Sequence, residues 1–254
     1  MAFALYPSLT GRVVFVSGGA SGIGADIVSA FVRNRARVAF VDLQREAGER
    51  LVEGLAREGE APLFLQADVT DIPALQGAIA KTREQFGPIG ALVNNAANDQ
   101  RHAVAEVTVE FWDHTQNVNL RHHFFAAQAV HPQMRELGYG SIVNLSSISW
   151  RIGGAEMPAY STAKAGIVGL TRSLARAFGR DNIRVNAIEP GAVMTERQRQ
   201  LWYKTQDLVD AMAQRQAIPK TLLGEEVARA ALFLAADDSR MITKQSLIVD
   251  AGMR

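Results

Sequence analysis

No cysteine occurs anywhere in the 254 residues. That absence excludes disulfides, thiolate nucleophiles and cysteine-ligated metals, and it fits a reducing compartment. Charge of one sign is also missing: 27 Lys and Arg face 26 Asp and Glu, a net charge of +1. There is therefore no electrostatic case for nucleic acid or an anionic membrane as partner, and a small molecule is the expected ligand. No stretch approaches the ~18 apolar residues that a membrane span needs. The start, Met1 to Pro7, lacks a basic segment followed by an apolar core, and a cytoplasmic protein is expected. The five histidines show no His-x-x-x-His spacing, so no metal site is expected. In particular, His122 and His123 are sequential on a predicted helix and are expected to point different ways.

What is present is 48% hydrophobic residues in a chain long enough for one large domain, with no linker, repeat or low-complexity segment. Val13 to Val16 is a short β-branched run followed by Ser17-Gly18-Gly19-Ala20-Ser21-Gly22-Ile23-Gly24, and then by apolar residues at helical spacing. Strand, glycine turn and helix in that order let a backbone approach a pyrophosphate at the positive end of the helix. A glycine triplet alone is weak, and the second strand adds to it. Arg37 to Val41 ends in Asp42, 18 residues after Gly24, where a carboxylate can accept from ribose hydroxyls and repel a 2′-phosphate. NAD is favoured over NADP. Ser21 could have been a cation gripping that phosphate and is not, whereas Arg45 just beyond the strand could swing in to tolerate it.

Alternation of strand and helix continues. Helical spacing runs from Ala47 to Glu58, and a third strand from Pro62 to Leu65 leads to Asp68 and Val69, which could contact the adenine. Asp71 is a plausible N-cap ahead of Pro73. Strands follow at Gly90 to Val93, Ser141 to Leu145, Asn182 to Ile188 and Ser246 to Val249, with a long helix from about Val109 to Gln133. The pattern predicts a single α/β domain over residues 1–254, a doubly wound, seven-stranded parallel sheet of Rossmann type with helices on both faces. Residues 192–220 break the alternation and read as a substrate lid.

The chemistry gathers at Tyr160 and Lys164, four residues apart and so on one face of a helix. A phenol titrates near pH ~10, and making it a base near neutrality takes roughly 4 kcal/mol of differential stabilisation, part of which a cation one turn away can supply. Taken alone, the pair also fits an ordinary amphipathic helix face. Ser146 and Ser147 end a buried strand, with 12 residues, Ile148 to Ala159, between Ser147 and Tyr160, and Asn119 sits among apolar helix positions where its amide needs partners.

With the glycine turn, Asn94-Asn95-Ala96, Asn119, Ser147, Tyr160, Lys164 and Pro190-Gly191 in order, the chain resembles the short-chain dehydrogenase/reductase family over its whole length. Ser17 stands where the family usually has threonine, Ala97 ends a motif that usually ends in glycine, and Ala251-Gly252 replaces a common Gly-Gly. The resemblance implies that Tyr160 is the acid/base and that Lys164 lowers its pKa and holds the nicotinamide ribose. It further implies that Ser147 binds the reacting oxygen and that Asn119 anchors a relay water. For the dinucleotide it implies Gly18, Ser21, Gly22, Ile23, Gly24, Asp42, Asp68 and Val69 on one side. On the other it implies Asn95, Tyr160, Lys164, Val193 and Thr195, and a homotetramer built on the helices near 109–133 and 160–179.

Asn98 to His102, Asn119 to His122, Ser147 to Trp150, and Arg197 with Trp202 and Tyr203 narrow the resemblance to bacterial D-xylose and related aldose 1-dehydrogenases. That subgroup implies loss of hydride from C1 of a pentose or 6-deoxyhexose, such as xylose, arabinose or fucose, to NAD+, giving an aldonolactone. Asn98, Ser147, Ser149, Trp150, Tyr160, Arg197 and Trp202 are the expected sugar contacts, as hydroxyl partners beside an aromatic wall. Another secondary alcohol, such as a deoxy sugar acid or a 3-hydroxyacyl group, is the alternative. A sugar acid would call for Arg197 or Arg101 in the pocket, although Arg101 and Arg121 could equally pair with acids for structure.

Overall fold

The computed structural model describes residues 4–253. Residues 1–3 of the N-terminal stretch and Arg254 lie outside the described residues. Seven parallel strands, β1 (Val13–Ser17), β2 (Arg37–Asp42), β3 (Leu63–Gln66), β4 (Ala91–Asn94), β5 (Gly140–Leu145), β6 (Ile183–Pro190) and β7 (Ser246–Val249), form one sheet. Their order is β3-β2-β1-β4-β5-β6-β7. The expected doubly wound sheet is present among the described residues. Strand order reverses between β1 and β4, which opens a crevice at their C-terminal ends.

The central strands are buried throughout because both faces are covered by helices. Along β1 the side chains alternate: Val14 and Val16 join one core with Ile27, Phe31 and Leu234, while Val13 and Phe15 join the other with Ile79, Val130 and Leu174. The first core lies under α1 (Gly22–Arg33) and α10 (Gly224–Ala235). The second lies under α3 (Ile72–Phe86), α5 (His122–Leu137) and α7 (Pro158–Phe178). The remaining helices are α2 (Arg45–Leu55), α4 (Val109–Gln116), α6 (Ser149–Ile152), α8 (Glu196–Leu201) and α9 (Gln206–Ala213).

Several local differences from the sequence reading have identifiable causes. The long helix expected over 109–133 runs on to Leu137 and is interrupted by a π-helical turn at Asn117–Arg121. There the Asn119 amide donates to the Thr115 carbonyl at 2.9 Å, in competition with the helix ladder. The stretch between Ser147 and Tyr160 holds the short α6, and α7 begins at Pro158, whose fixed φ suits a first turn. Gly179 keeps right-handed geometry after α7, and the left-handed residue is Asn182 at φ 59°. Asp71 caps α3 by accepting from the Ala74 N–H at 3.0 Å.

In the region 192–220, Thr195 and Thr205 cap α8 and α9. Two arginines close the C-terminal end of α10: Arg12 donates to the Ala235 carbonyl at 2.7 Å and Arg184 to that of Ala236 at 3.2 Å. Among the described residues, no helix is long and apolar enough to cross a membrane.

Candidate active site

A cleft of about 1350 Å3 runs from the glycine turn, along the C-terminal ends of β1, β4, β5 and β6, to α8. At its nucleotide-like end Gly18 has φ 68°, and a Cβ there would lie 2.6 Å from the Ala96 Cα. A Cβ on Gly24 would lie 1.8 Å from the Gly18 carbonyl. Only glycine fits these two positions, which leaves bare backbone facing the cleft. The turn is tied to β4: the Ser17 hydroxyl accepts from the N–H of Asn95 at 3.0 Å and of Ala96 at 3.2 Å. The Asn95 amide returns to the Gly18 carbonyl at 2.8 Å. A hydroxyl suffices at position 17, and threonine's extra methyl is not needed for this tie.

Asp42 accepts from the Ala20 N–H at 3.0 Å and the Gln44 N–H at 3.0 Å, so its carboxylate is fixed at the rim of the cleft. Arg45 does not swing toward it. Its guanidinium is held by Glu49 at 2.9 Å, one turn along α2. Gly18, Ser21, Gly22, Ile23 and Gly24 line this end together with Asp68 and Val69. Val193 and Thr195 line it from the other side, where a Cβ on Gly22 would lie 3.2 Å from the Thr195 methyl. The residues fit a dinucleotide: a glycine cradle, helix N–H groups and a fixed carboxylate.

Deeper in, Ser147, Tyr160 and Lys164 line the same cleft. Ser147 lies close enough to the Tyr160 phenol to favour its ionised form, and the Ser147 Oγ accepts from the Ser149 N–H at 3.1 Å. The Lys164 Nζ lies 5.4 Å from the centre of the Tyr160 ring and donates to the Leu145 carbonyl at 2.8 Å. The expected lowering of the phenol by Lys164 is not found in the protein alone. Burial pushes the Tyr160 phenol up, the Asp99 charge adds to this, and only Ser147 opposes it. Burial pulls Lys164 down to about 7, so the amine is neutral before the phenol titrates.

Asn119 is fully buried, and its side chain holds backbone: Oδ1 accepts from the Asn98 N–H at 2.9 Å, and Nδ2 donates to the carbonyls of Thr115 and Asn98. Of the expected sugar contacts, Asn98, Ser149 and Arg197 line the cleft. Trp150 and Trp202 are not among the residues that line it: the Arg151 guanidinium lies 4.2 Å from the Trp150 ring, and that of Arg101, which itself lines the cleft, 4.1 Å from the Trp202 ring. Arg151 is in turn paired with buried Glu189 at 2.9 Å, and Arg101 with Glu156 at 3.2 Å. Arg121 bonds the Thr70 carbonyl at 2.8 Å rather than an acid.

His122 and His123 also depart from expectation. Both are fully buried with ring centres 4.4 Å apart. The His122 ring meets the Ala96 carbonyl at 3.1 Å and the His123 ring the Asn144 amide oxygen at 3.3 Å. Burial holds His122 at about 3 and His123 well below its ordinary value, so both are neutral.

Asp99, Gln198 and Tyr203, which stand in stretches that carry the resemblance but receive no contact role from it, lie at the open end of the cleft. Asp99 receives Gln198 in a very short hydrogen bond and Arg197 at 3.3 Å, and Tyr203 bonds Arg101. Beyond the resemblance, their only sequence signal is polarity next to Asn98 and Arg197.

Residues 18–254 match the family described as enoyl-(acyl carrier protein) reductase. The fold matches a short-chain type dehydrogenase/reductase from Mycobacterium ulcerans with a TM-score of 0.91 at 26% identity, covering 97% of this chain and 90% of that one. The chain belongs to the short-chain dehydrogenase/reductase family. As a member of that family it is an oxidoreductase, and the family's nicotinamide dinucleotide is the group that the glycine cradle fits. Among curated short-chain dehydrogenases, it is 49% identical to a probable galactose dehydrogenase of Rhizobium meliloti, over 98% of this chain and 97% of that one. It is 42% identical to a D-xylose 1-dehydrogenase of Caulobacter vibrioides over the full length of both.

Proposed function

We infer that the protein oxidises an aldose at C1 with NAD+, giving the aldonolactone. The observation that carries this reading is one continuous cleft. It joins the glycine cradle and Asp42 to Ser147, Tyr160 and Lys164, and then to a polar wall of Asn98, Asp99, Arg197 and Gln198. A hydroxyl-rich substrate needs such a wall beside the reacting groups. The resemblance to proteins named galactose and xylose dehydrogenases supports the same substrate class.

A bound NAD+ supplies the hydride acceptor and a positive charge beside the reacting carbon. Ser147 holds the C1 hydroxyl through its Oγ, and Tyr160, beside Ser147 in the cleft, takes the hydroxyl proton. The raised phenol makes Tyr160 a poor base in the protein alone, so the positive charge that an oxidised dinucleotide would bring is what would make it competent, with Lys164 adding to it only while protonated, below about 7. Asn119 acts by holding the Asn98 backbone, as a positioning residue. Asp42 favours NAD+, with Arg45 committed to Glu49. Residues 192–220 act as the lid within a single domain spanning 1–254.

Self-association as a homotetramer is part of the same reading. Val109, Trp112 and Phe124 leave apolar surface exposed on α4 and α5. The absence of cysteine supports a cytoplasmic setting. The deciding experiment presents aldoses and sugar acids with NAD+ and follows nicotinamide absorbance. Reduction with a pentose, galactose or a 6-deoxyhexose is expected; turnover of sugar acids alone would overturn the aldose reading.

A further inference from the structure

The loop after β4 and the lid helix α8 meet over the reacting groups through one carboxylate. Asp99 has a side chain 24% exposed and lines the cleft that holds Ser147, Tyr160 and Lys164. From α8, Gln198 Nε2 donates to its Oδ2 in a very short bond, and Arg197 Nε reaches its Oδ1 at 3.3 Å. Arg197 also donates to the Asn98 Oδ1 at 3.0 Å. The Asn98 backbone is itself clamped on both sides by Asn119. The Asp99 backbone therefore follows a fixed residue, and its carboxylate is aimed by two donors.

A carboxylate accepts and never donates, with about four acceptor positions on its two oxygens. One short and one long bond leave capacity on both. The residue is close enough to the reacting pair that its charge raises both Tyr160 and Lys164. Two of the cations that would welcome an anionic substrate, Arg197 and Arg101, are already engaged, while Arg215 lines the cleft farther along, beside Tyr203. Arg197 is held by Asp99 and Asn98. Arg101 is held by Glu156 and Tyr203 and stacks on Trp202.

We propose that Asp99 determines specificity: held at the mouth by α8, its carboxylate accepts the hydroxyl hydrogens of a neutral sugar and turns away substrates that carry a carboxylate. Selectivity then comes from an attractive and a repulsive element in one side chain. The inference rests on the aldose reading and adds a residue-level cause to it.

The test compares D-galactose with D-galacturonate, two substrates with the same C1 hemiacetal that differ by a terminal carboxylate. The wild-type enzyme is expected to favour galactose. In Asp99→Asn, kcat/KM for galactose should fall about 10- to 100-fold, mainly through KM, because a charge-assisted hydrogen bond is weakened. The galacturonate-to-galactose ratio should rise at least about tenfold. Without cofactor or sugar, backbone amides of residues 196–203 should exchange faster in Asp99→Asn and in Gln198→Leu, since both loosen α8. Gln198→Leu keeps the charge and should still reject galacturonate, which leaves a second route if Asp99→Asn does not fold. An unchanged ratio in Asp99→Asn, an unchanged exchange pattern, or ready use of galacturonate by Gln198→Leu would each overturn the proposal. A wild-type enzyme that oxidises no aldose at all refutes the aldose reading instead, and one that prefers galacturonate refutes the role given to Asp99.

Discussion

The Lys164 ammonium and the Leu145 carbonyl lie 2.8 Å apart, so a buried amine is anchored to the end of β5, the strand that also delivers Ser147. A charge confined there is expensive unless it is matched. In the folded protein the amine keeps its proton only below about 7, against an ordinary 10.5. Between those values the unfolded chain binds the extra proton. The stability at this site is therefore complete above about 10.5 and is lost as pH falls to about 7. Lys164→Met removes that dependence. Its stability relative to wild type should improve by on the order of 5 kcal/mol between pH 10.5 and 7 and stay level below. Denaturant titrations across pH measure this; a difference that does not vary with pH would mean the amine is not desolvated.

Tyr160→Phe keeps the ring and loses the hydroxyl that lines the cleft beside Ser147. Turnover should drop about 10²- to 10⁴-fold, the usual range for a lost acid/base, while NAD+ binding by titration stays near wild type. Substantial residual kcat would assign the proton to another group.

Asp42, fixed by the N–H groups of Ala20 and Gln44, would on the proposed NAD+ reading set its negative charge against the extra phosphate of NADP+. Two like charges about 5 Å apart in a partly buried setting repel by about 3 kcal/mol, or roughly 100-fold in affinity. NAD+ should bind at least that much more tightly than NADP+, and Asp42→Ser should close most of the gap. Equal affinities in the wild type would mean that Arg45 leaves Glu49 to hold the phosphate.

Ala251 has φ 54°, a conformation that disfavours a side chain by about 1–2 kcal/mol, at a position where the family commonly has glycine. Glycine returns part of that gain through the freedom of the unfolded chain. Ala251→Gly should therefore raise Tm by about 1–4 °C, read by scanning calorimetry. A lower Tm would show that the alanine methyl makes contacts worth more than the strain.

The order of elements was legible because buried parallel strands read as short apolar runs and helices as 3.6-residue patterns, and Tyr160 with Lys164 could be placed on one face from spacing alone. Long-range partners were not legible. Trp150 and Trp202 have the composition of a sugar wall, yet their rings stack against Arg151 and Arg101, partners that spacing does not reveal. The neighbouring rings of His122 and His123 depend on the carbonyl of Ala96 and on Asn144, 26 and 21 residues distant. The π turn at Asn119 depends on one side chain outcompeting the helix ladder for a carbonyl. The raised phenol arises from burial and from the charge of Asp99, 61 residues away in the chain, neither of which is local information.

The packing of α1 against α10 has a further consequence for synthesis. Ile27 and Phe31 of α1 are buried in one core with Val227 and Ala231 of α10, and Arg12 reaches the Ala235 carbonyl across 223 residues of chain. A ribosome at ~5–20 residues per second therefore exposes the glycine turn and α1 for many seconds before their cover is made. During that interval α1 carries a bare apolar stripe, the kind of surface that trigger factors and other nascent-chain chaperones shield, and any truncation before residue 224 leaves that stripe permanently uncovered.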